Sequence, residues 1–262
     1  MPSLSLDIGA TGLLAQQTNV DVISNNIANM TTTGFKRQRA QFNDLIYNDI
    51  IRPGATSSDV GTTVPAGIQI GLGVNVGAVS RVFEQGPLQS TDNPLDLAIT
   101  GEGFFQIQLP NGEIAFTRDG SFQINENGEL VTQQGFVVDP AITIPQDALS
   151  IEVNRSGEVL VQLPEQVDLS NVGQLQLAIF QNSAGLAAIG DDLFLETTAS
   201  GAPITGNPDQ DAFGELRQGL LEGSNVNAVE EITNLITAQR AYEMNSRVVQ
   251  VSDEMLSTVS NL

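Results

Sequence analysis

Apolar residues recur at heptad-like steps at both ends of this chain, and these matched ends constrain the fold more than anything between them. Near the start, Leu6, Leu13, Val20, Ile23, Ile27 and Met30 are spaced by sevens, threes and fours. Near the end, Leu235, Tyr242, Val249 and Leu256 recur every seven residues, with Val248, Met255, Val259 and Leu262 beside them. Such spacing lays a narrow apolar seam along a helix, and a narrow seam requires a partner helix. Gln16, Asn245 and Ser252 interrupt the seams with groups that need partners when buried, which an assembly can supply. Packing of each terminal helix on its own domain is the plainer alternative. The expected architecture is α+β and discontinuous. N- and C-terminal helices pair as a coiled coil, and a mostly antiparallel β-rich domain is inserted between them.

Composition removes most chemistry. The 262 residues hold no Cys, hence no disulfide, thiol nucleophile or thiolate metal site, and no His, the commonest general base and metal ligand. No Trp and only 2 Tyr leave few stacking platforms for nucleic acid or sugars. The net charge of −21 is unevenly spread. Residues 82–216 carry 20 acids against Arg118 and Arg155 alone, whereas residues 1–81 carry five charges of each sign. A negative middle repels phosphate backbones and anionic membranes, so no nucleic-acid partner is expected. The simplest role of the acids is a solvated surface. No cleavable signal opens the chain, and no stretch approaches the ~20 apolar residues that span a bilayer as a helix. Cytoplasmic residence and export without a cleaved signal both fit.

The first helix is predicted from about Leu4 to Thr33, stopped by Gly34 after the β-branched run Thr31–Thr33. Lys36, Arg37 and Arg39 follow, where the helix dipole favours cations. Phe42 to Ile51 is a short apolar patch, and the Pro-, Gly- and Ser-rich stretch after it reads as extended or loop. Ile68 to Val82 alternates and reads as one half-buried strand. From about residue 95 to 195, short β runs alternate with turn signals such as Pro110-Asn111-Gly112, Asp119-Gly120 and Ser156-Gly157. Residues 197–211 read as loop and Glu215–Glu222 as one strand. Asn227 offers an N-cap, with Glu230 and Glu231 in the first turn of a helix reaching nearly to Leu262. Gly71, Gly73 and Gly77 lack the strand-to-helix context of a dinucleotide site. Nothing marks a nucleophile or a carboxylate pair, so no enzyme activity, cofactor, metal or small-molecule substrate is expected.

Three motifs in order carry a resemblance. Ser24-Asn25-Asn26-Ile27-Ala28-Asn29 with Thr33-Gly34-Phe35-Lys36-Arg37, the central Gly101-Glu102-Gly103-Phe104-Phe105 and Phe116-Thr117-Arg118-Asp119-Gly120, and Gln239-Arg240-Ala241-Tyr242-Glu243 with Asn245 resemble the signatures of bacterial flagellar rod and hook proteins. Arg52-Pro53-Gly54-Ala55 with Ser57-Ser58, and Pro140–Pro145, are most similar to the distal-rod branch of that family. The resemblance covers nearly the whole chain. It implies an inner layer of terminal helices from residues 1–45 and 225–262, connecting segments 46–94 and 196–224, and an outer β domain 95–195. Leu13, Val20, Ile23, Asn26, Ile27, Asn29, Leu235, Tyr242, Asn245, Val249 and Leu256 would serve assembly in the inner layer. Tyr47, Arg52, Pro53, Gly54, Ser57, Ser58 and Pro65 would belong to a rod-specific insertion, 47–65, that stiffens the tube. The implied function is a structural subunit of the distal rod, a rigid tubular drive shaft that passes torque from motor to hook and encloses the export channel. The implied partners are further copies of itself, proximal-rod and hook proteins, the surrounding P and L rings, the rod cap and the type III export apparatus. The implied location is the flagellar basal body across the periplasm, reached without a cleaved signal. A hook or proximal-rod subunit is the near alternative, and a secreted or periplasmic β-rich binding module, with an acidic hydrolase as its enzymatic cousin, the distant one.

Overall fold

The computed structural model describes residues 2–53, 66–164 and 168–260. The chain divides into two compact units, residues 1–27, 38–80 and 227–262, and residues 28–37 and 81–226.

Among the described residues, the first unit holds α1 (Pro2–Ala28), four strands β1 (Gln38–Asp44), β2 (Tyr47–Ile51), β3 (Ile68–Gly71) and β4 (Val74–Arg81), and α2 (Ala228–Ser260). The two terminal helices pack against each other, as the seams require. A Cβ on Gly9 would stand 2.7 Å from Val249 Cγ2, and one on Gly12 2.8 Å from Asn245 Nδ2. At the other end, Asn26 Nδ2 donates to Glu231 Oε2 at 3.2 Å. Numbers rise along α1 as they fall along α2, so the pair is antiparallel. Glycine inside a helix costs about 1 kcal/mol relative to alanine. Here the close approach of α2 offsets that cost. Asn227 caps α2, its Oδ1 accepting from the N–H groups of Val229 (3.1 Å) and Glu230 (3.4 Å).

Two predicted elements differ in this part of the chain. The first helix stops at Ala28 rather than Thr33, because residues 29–34 turn back through Thr32 N–H to Asn29 O. Gly34 does take a left-handed φ of 74°, but it ends no helix. It lies where a Cβ would meet Asp119 N at 2.9 Å. The run Ile68–Val82 is two strands, not one, broken at Leu72-Gly73. Gly73 has φ 116°, and a Cβ there would collide with Thr11 Oγ1 on α1. β2 pairs antiparallel with β3, Tyr47 opposite Gly71 and Ile51 opposite Ile68, and β1 pairs with β4.

The second unit contains β5 (Leu88–Ser90), β6 (Leu97–Thr100), β7 (Phe104–Gln108), β8 (Ile114–Thr117), β9 (Gln123–Ile124), β10 (Leu130–Val131), β11 (Val137–Asp139), β12 (Ser150–Val153), β13 (Glu158–Gln162), β14 (Ser170–Gln174), β15 (Leu177–Ile179), β16 (Ala187–Gly190), β17 (Leu193–Leu195), β18 (Ile204–Gly206), β19 (Glu215–Gln218) and β20 (Leu220–Glu222). The main sheet runs β16-β17-β8-β7-β11-β10-β9, with β15 also on β7 and β18 beyond it. β12, β13 and β14 form a second sheet, and β19–β6 and β20–β5 are separate pairs. All these pairings are antiparallel. The predicted strand Glu215–Glu222 is therefore two strands with different partners, parted at Gly219 (φ 71°), and the predicted loop 197–211 contains β18.

The centre of the sheet is covered on both faces, which explains why Phe104-Phe105-Gln106-Ile107 is apolar almost throughout. Alternation sends Phe105 and Ile107 into a core with Leu97, Ile99, Phe122 and Leu177. Phe104 faces the other way, into a second cluster with Phe116 and Phe194. There, Phe83 and Phe180 complete edge-to-face ring contacts at 4.7–5.8 Å.

Candidate assembly interface

Small and polar residues form the buried contact between the terminal helices. On α1, Gly9, Gly12 and Asn26 meet α2 directly, and Ala15, Val22 and Ile23 are buried along the same helix. On α2 the facing residues step by four and three: Glu231, Ala238 and Ser252 are buried, with Leu235, Asn245, Val249 and Leu256 half-buried between them. The predicted amide-rich seam is thus used first inside the chain, where Asn245 lies against Gly12. Of the expected assembly residues, Ile23 and Asn26 are buried, and Leu13, Val20, Ile27 and Asn29 are half-buried beside them. Tyr242 is 44% exposed and lines an open groove of about 580 Å³ with Gln17, Val20, Gln239 and Glu243.

Asn26 binds more than its helix partner. Its Oδ1 accepts from Gln38 N–H and its Nδ2 donates to Gln38 O, both at 2.8 Å. One side chain thereby ties α1, α2 and the start of β1 together. Its partner Glu231, expected only as a helix-dipole acid, is buried to hold it.

α2 keeps a large apolar surface that α1 does not cover. Val229, Ile232 and Ile236 are 47–74% exposed, and Met244, Val248, Val251 and Met255 are 46–64% exposed. At ~100° per residue the first group lies about 130° to one side of the seam residues beside it and the second about 100° to the other side. These are two different apolar patches on opposite flanks of one helix. Patches of this kind mark contact surfaces.

Of the expected stiffening segment, Tyr47 lies in β2 and is 54% exposed, and Arg52 stands 3.7 Å from Asp49. Pro53 follows in a turn. Gly54, Ser57, Ser58 and Pro65 lie outside the described residues. The ribbon leading to the segment exposes Ile46, Ile50, Ile51 and Ile68.

Lys36 corrects the helix-dipole reading of the basic cluster. A dipole acts within the last turn, and α1 ends eight residues earlier. Lys36 is instead fully buried in the second unit. Its Nζ donates to Glu222 Oε1 at 2.6 Å and to Glu84 O at 2.8 Å. Arg118 Nε lies 3.5 Å from Glu222 Oε2. In the same unit, burial and then the Asp119 carboxylate push Asp192 up to about 6, with Arg81 pulling the other way.

Family models match the chain in three places and in order. Residues 6–36 match the flagella basal body rod protein model, 98–161 the flagellar hook protein FlgE/F/G D1 domain, and 217–262 the flagellar basal body rod FlgEFG protein C-terminal. A Caulobacter vibrioides protein called flagellar basal-body rod protein FlgG is 55% identical over 258 residues, 98% of both chains. Proteins of the same name from Agrobacterium fabrum and Bacillus subtilis are 50% and 38% identical, again over 98% of both chains. The chain belongs to the FlgE/F/G family of flagellar rod and hook proteins. It is a structural flagellar rod family, and its terminal models cover the two helices that pair here. The first also takes in Gly34, Phe35 and Lys36. Sequence reasoning missed Gly9, Gly12 and the Lys36–Glu222–Arg118 cluster. The two glycines were visible as Gly-x-x-Gly inside a helical pattern, a costly placement that calls for a packing reason.

Proposed function

We propose that this chain is a structural subunit of the distal rod, polymerising with copies of itself into a rigid tube that passes torque to the hook and encloses the export channel. The pair of unlike apolar patches on α2 carries this reading. A surface that must bury two different patches on opposite flanks does so through heterologous contacts, and such contacts repeat into rings or helical filaments. The paired helices form the inner layer, the segments 46–94 and 196–224 the connecting layer, and residues 95–195 the outer domain. Proximal-rod and hook subunits meet the two ends of the tube, and the P and L rings surround it. The type III export apparatus delivers the subunit without a cleaved signal, and the rod cap is a further partner. The segment 47–65 braces neighbouring subunits. The exposed isoleucines of the ribbon at its base support that role, since an isolated two-stranded ribbon is marginal in water until it finds a surface.

Replacing the resident distal-rod gene of a motile bacterium with this chain tests the proposal. The wild-type chain restores swimming, and Val251→Asp abolishes it, with basal bodies that lack a hook. Swimming supported equally by both chains contradicts it.

A further inference from the structure

We propose that residues 28–37 are a releasable strap, seated on the second unit by a surplus buried charge that lets it lift without unfolding the sheet. The strap joins α1 to β1, yet it groups with the second unit rather than with either neighbour. It lies between residues 82–86 and 222–225. Gly34 N–H donates to Glu222 O at 2.8 Å, Val82 N–H to Arg37 O at 2.9 Å and Asn225 N–H to Phe35 O at 3.4 Å. Asn225 clamps the seat, its Oδ1 accepting from Arg37 N–H at 2.7 Å and its Nδ2 donating to the carbonyls of Val82 and Glu84.

Lys36 stands out because nothing around it needs it. Without its ammonium, Glu84 O still accepts from Asn225 Nδ2 at 3.0 Å. Glu222 Oε1 still accepts from Gly86 N–H at 2.8 Å. The Glu222 charge still faces Arg118 at 3.5 Å, both side chains at least 95% buried. Glu222 and Arg118 form a neutral buried pair by themselves, and Lys36 adds a second cation to it. Burial is the largest influence on Lys36 and disfavours its charged form; Glu222 offsets this only in part, and Arg118 adds to it. Lifting the strap returns the ammonium to water and leaves the neutral pair behind. Removing Glu222 has the opposite consequence, since it strands two buried cations, the expensive way to break an ion cluster. The strap therefore opens as a local unit. This frees the α1–β1 connection to re-seat during assembly while the sheet stays folded.

Hydrogen exchange on the dilute full-length monomer tests the strap, and it is independent of whether the chain builds a rod. The amides of Gly34, Arg37, Val82 and Asn225, which bond across the seat, are the reporters, and β7 and β8 are the reference. In the wild type the reporters exchange faster than the reference strands. Lys36→Met slows the reporters by roughly tenfold and leaves the reference unchanged, because only an unneeded charge is lost. Glu222→Gln speeds them by at least the same factor. Should Glu222→Gln fail to fold, Lys36→Met decides alone. Reporter exchange in Lys36→Met that is unchanged or faster overturns the proposal, as does wild-type protection equal to that of β7 and β8.

Discussion

Single residues set the sharpest terms here. Asp191 and Asp192 take left-handed φ of 51° and 54° in the turn between β16 and β17. Asp192 titrates near 6, above the ordinary carboxylate range, because burial and Asp119 disfavour its charge. The folded state therefore binds a proton that the unfolded state has already lost between about pH 4 and 6. Stability falls as pH rises through that window, and the penalty is complete above it. Asp192→Asn removes the penalty. Its Tm advantage over the wild type is expected to be larger at pH 7.5 than at pH 4, and an equal advantage at both pH values contradicts the assignment. A second prediction concerns Gly9. In an exposed helix, replacing glycine gains helix propensity, at most about 1 kcal/mol. At Gly9 a Cβ meets Val249 at 2.7 Å, and overpacking costs about 1–3 kcal/mol. Gly9→Val is expected to loosen the helix pair and block assembly, while circular dichroism shows the β unit still folded. Normal assembly of the variant refutes the close-approach account. Of the two positions only Gly9 left a trace in the sequence, as a costly glycine inside a helical pattern. Asp192 owes its behaviour to neighbours distant in sequence, and the reason for Gly9 appears only once Val249 lies opposite.

Elements were more legible than residues. Both terminal helices, their pairing and most strands between Asp96 and Gln162 follow from periodicity and turn chemistry. The Asn227 cap was correct because a cap is a local device, decided by the residue and the two N–H groups it reaches. The errors arose where tertiary contacts override local pattern. Strand pattern ran unbroken through Gly73 and Gly219, but in the fold the first passes Thr11 and the second parts strands with different partners. Lys36 looked like a helix-end cation because its partner Glu222 lies 186 residues away. Two predictions belong at this scale. The paired helices bury small residues and amides rather than a wide apolar face. Helices without strong packing are marginal, so residues 2–28 and 228–260 are expected to exchange rapidly in the dilute monomer and slowly in the polymer. Strong protection of both in the monomer rejects this. Deleting residues 54–65 removes the proposed brace, and the expected polymers are more curved or flexible in electron micrographs. Rods of unchanged straightness contradict the bracing role.

At the scale of the whole molecule, charge and apolar surface are separated along the chain. Residues 82–216 hold 20 acids against two arginines, and the uncovered apolar flanks belong to α2. A shaft turning inside a ring is helped by weak, like-charged contact, since deep attraction brakes it. The competing reading of the same charge is solubility alone, since net charge far from zero keeps a concentrated protein in solution. The central claim is that α2 presents two unlike patches, each needed for a head-to-tail contact. Mixing two blocked variants tests it most directly. Ile232→Asp disables one flank and Val251→Asp the other, each by placing an unpaired carboxylate where it must be buried, at a cost of several kcal/mol. Under conditions where the wild type polymerises, sedimentation of either variant alone is expected to show monomers. An equimolar mixture, in which each partner offers the flank the other lacks, is expected to stop at heterodimers. Long polymers from either variant, or no association in the mixture, would contradict two-patch assembly.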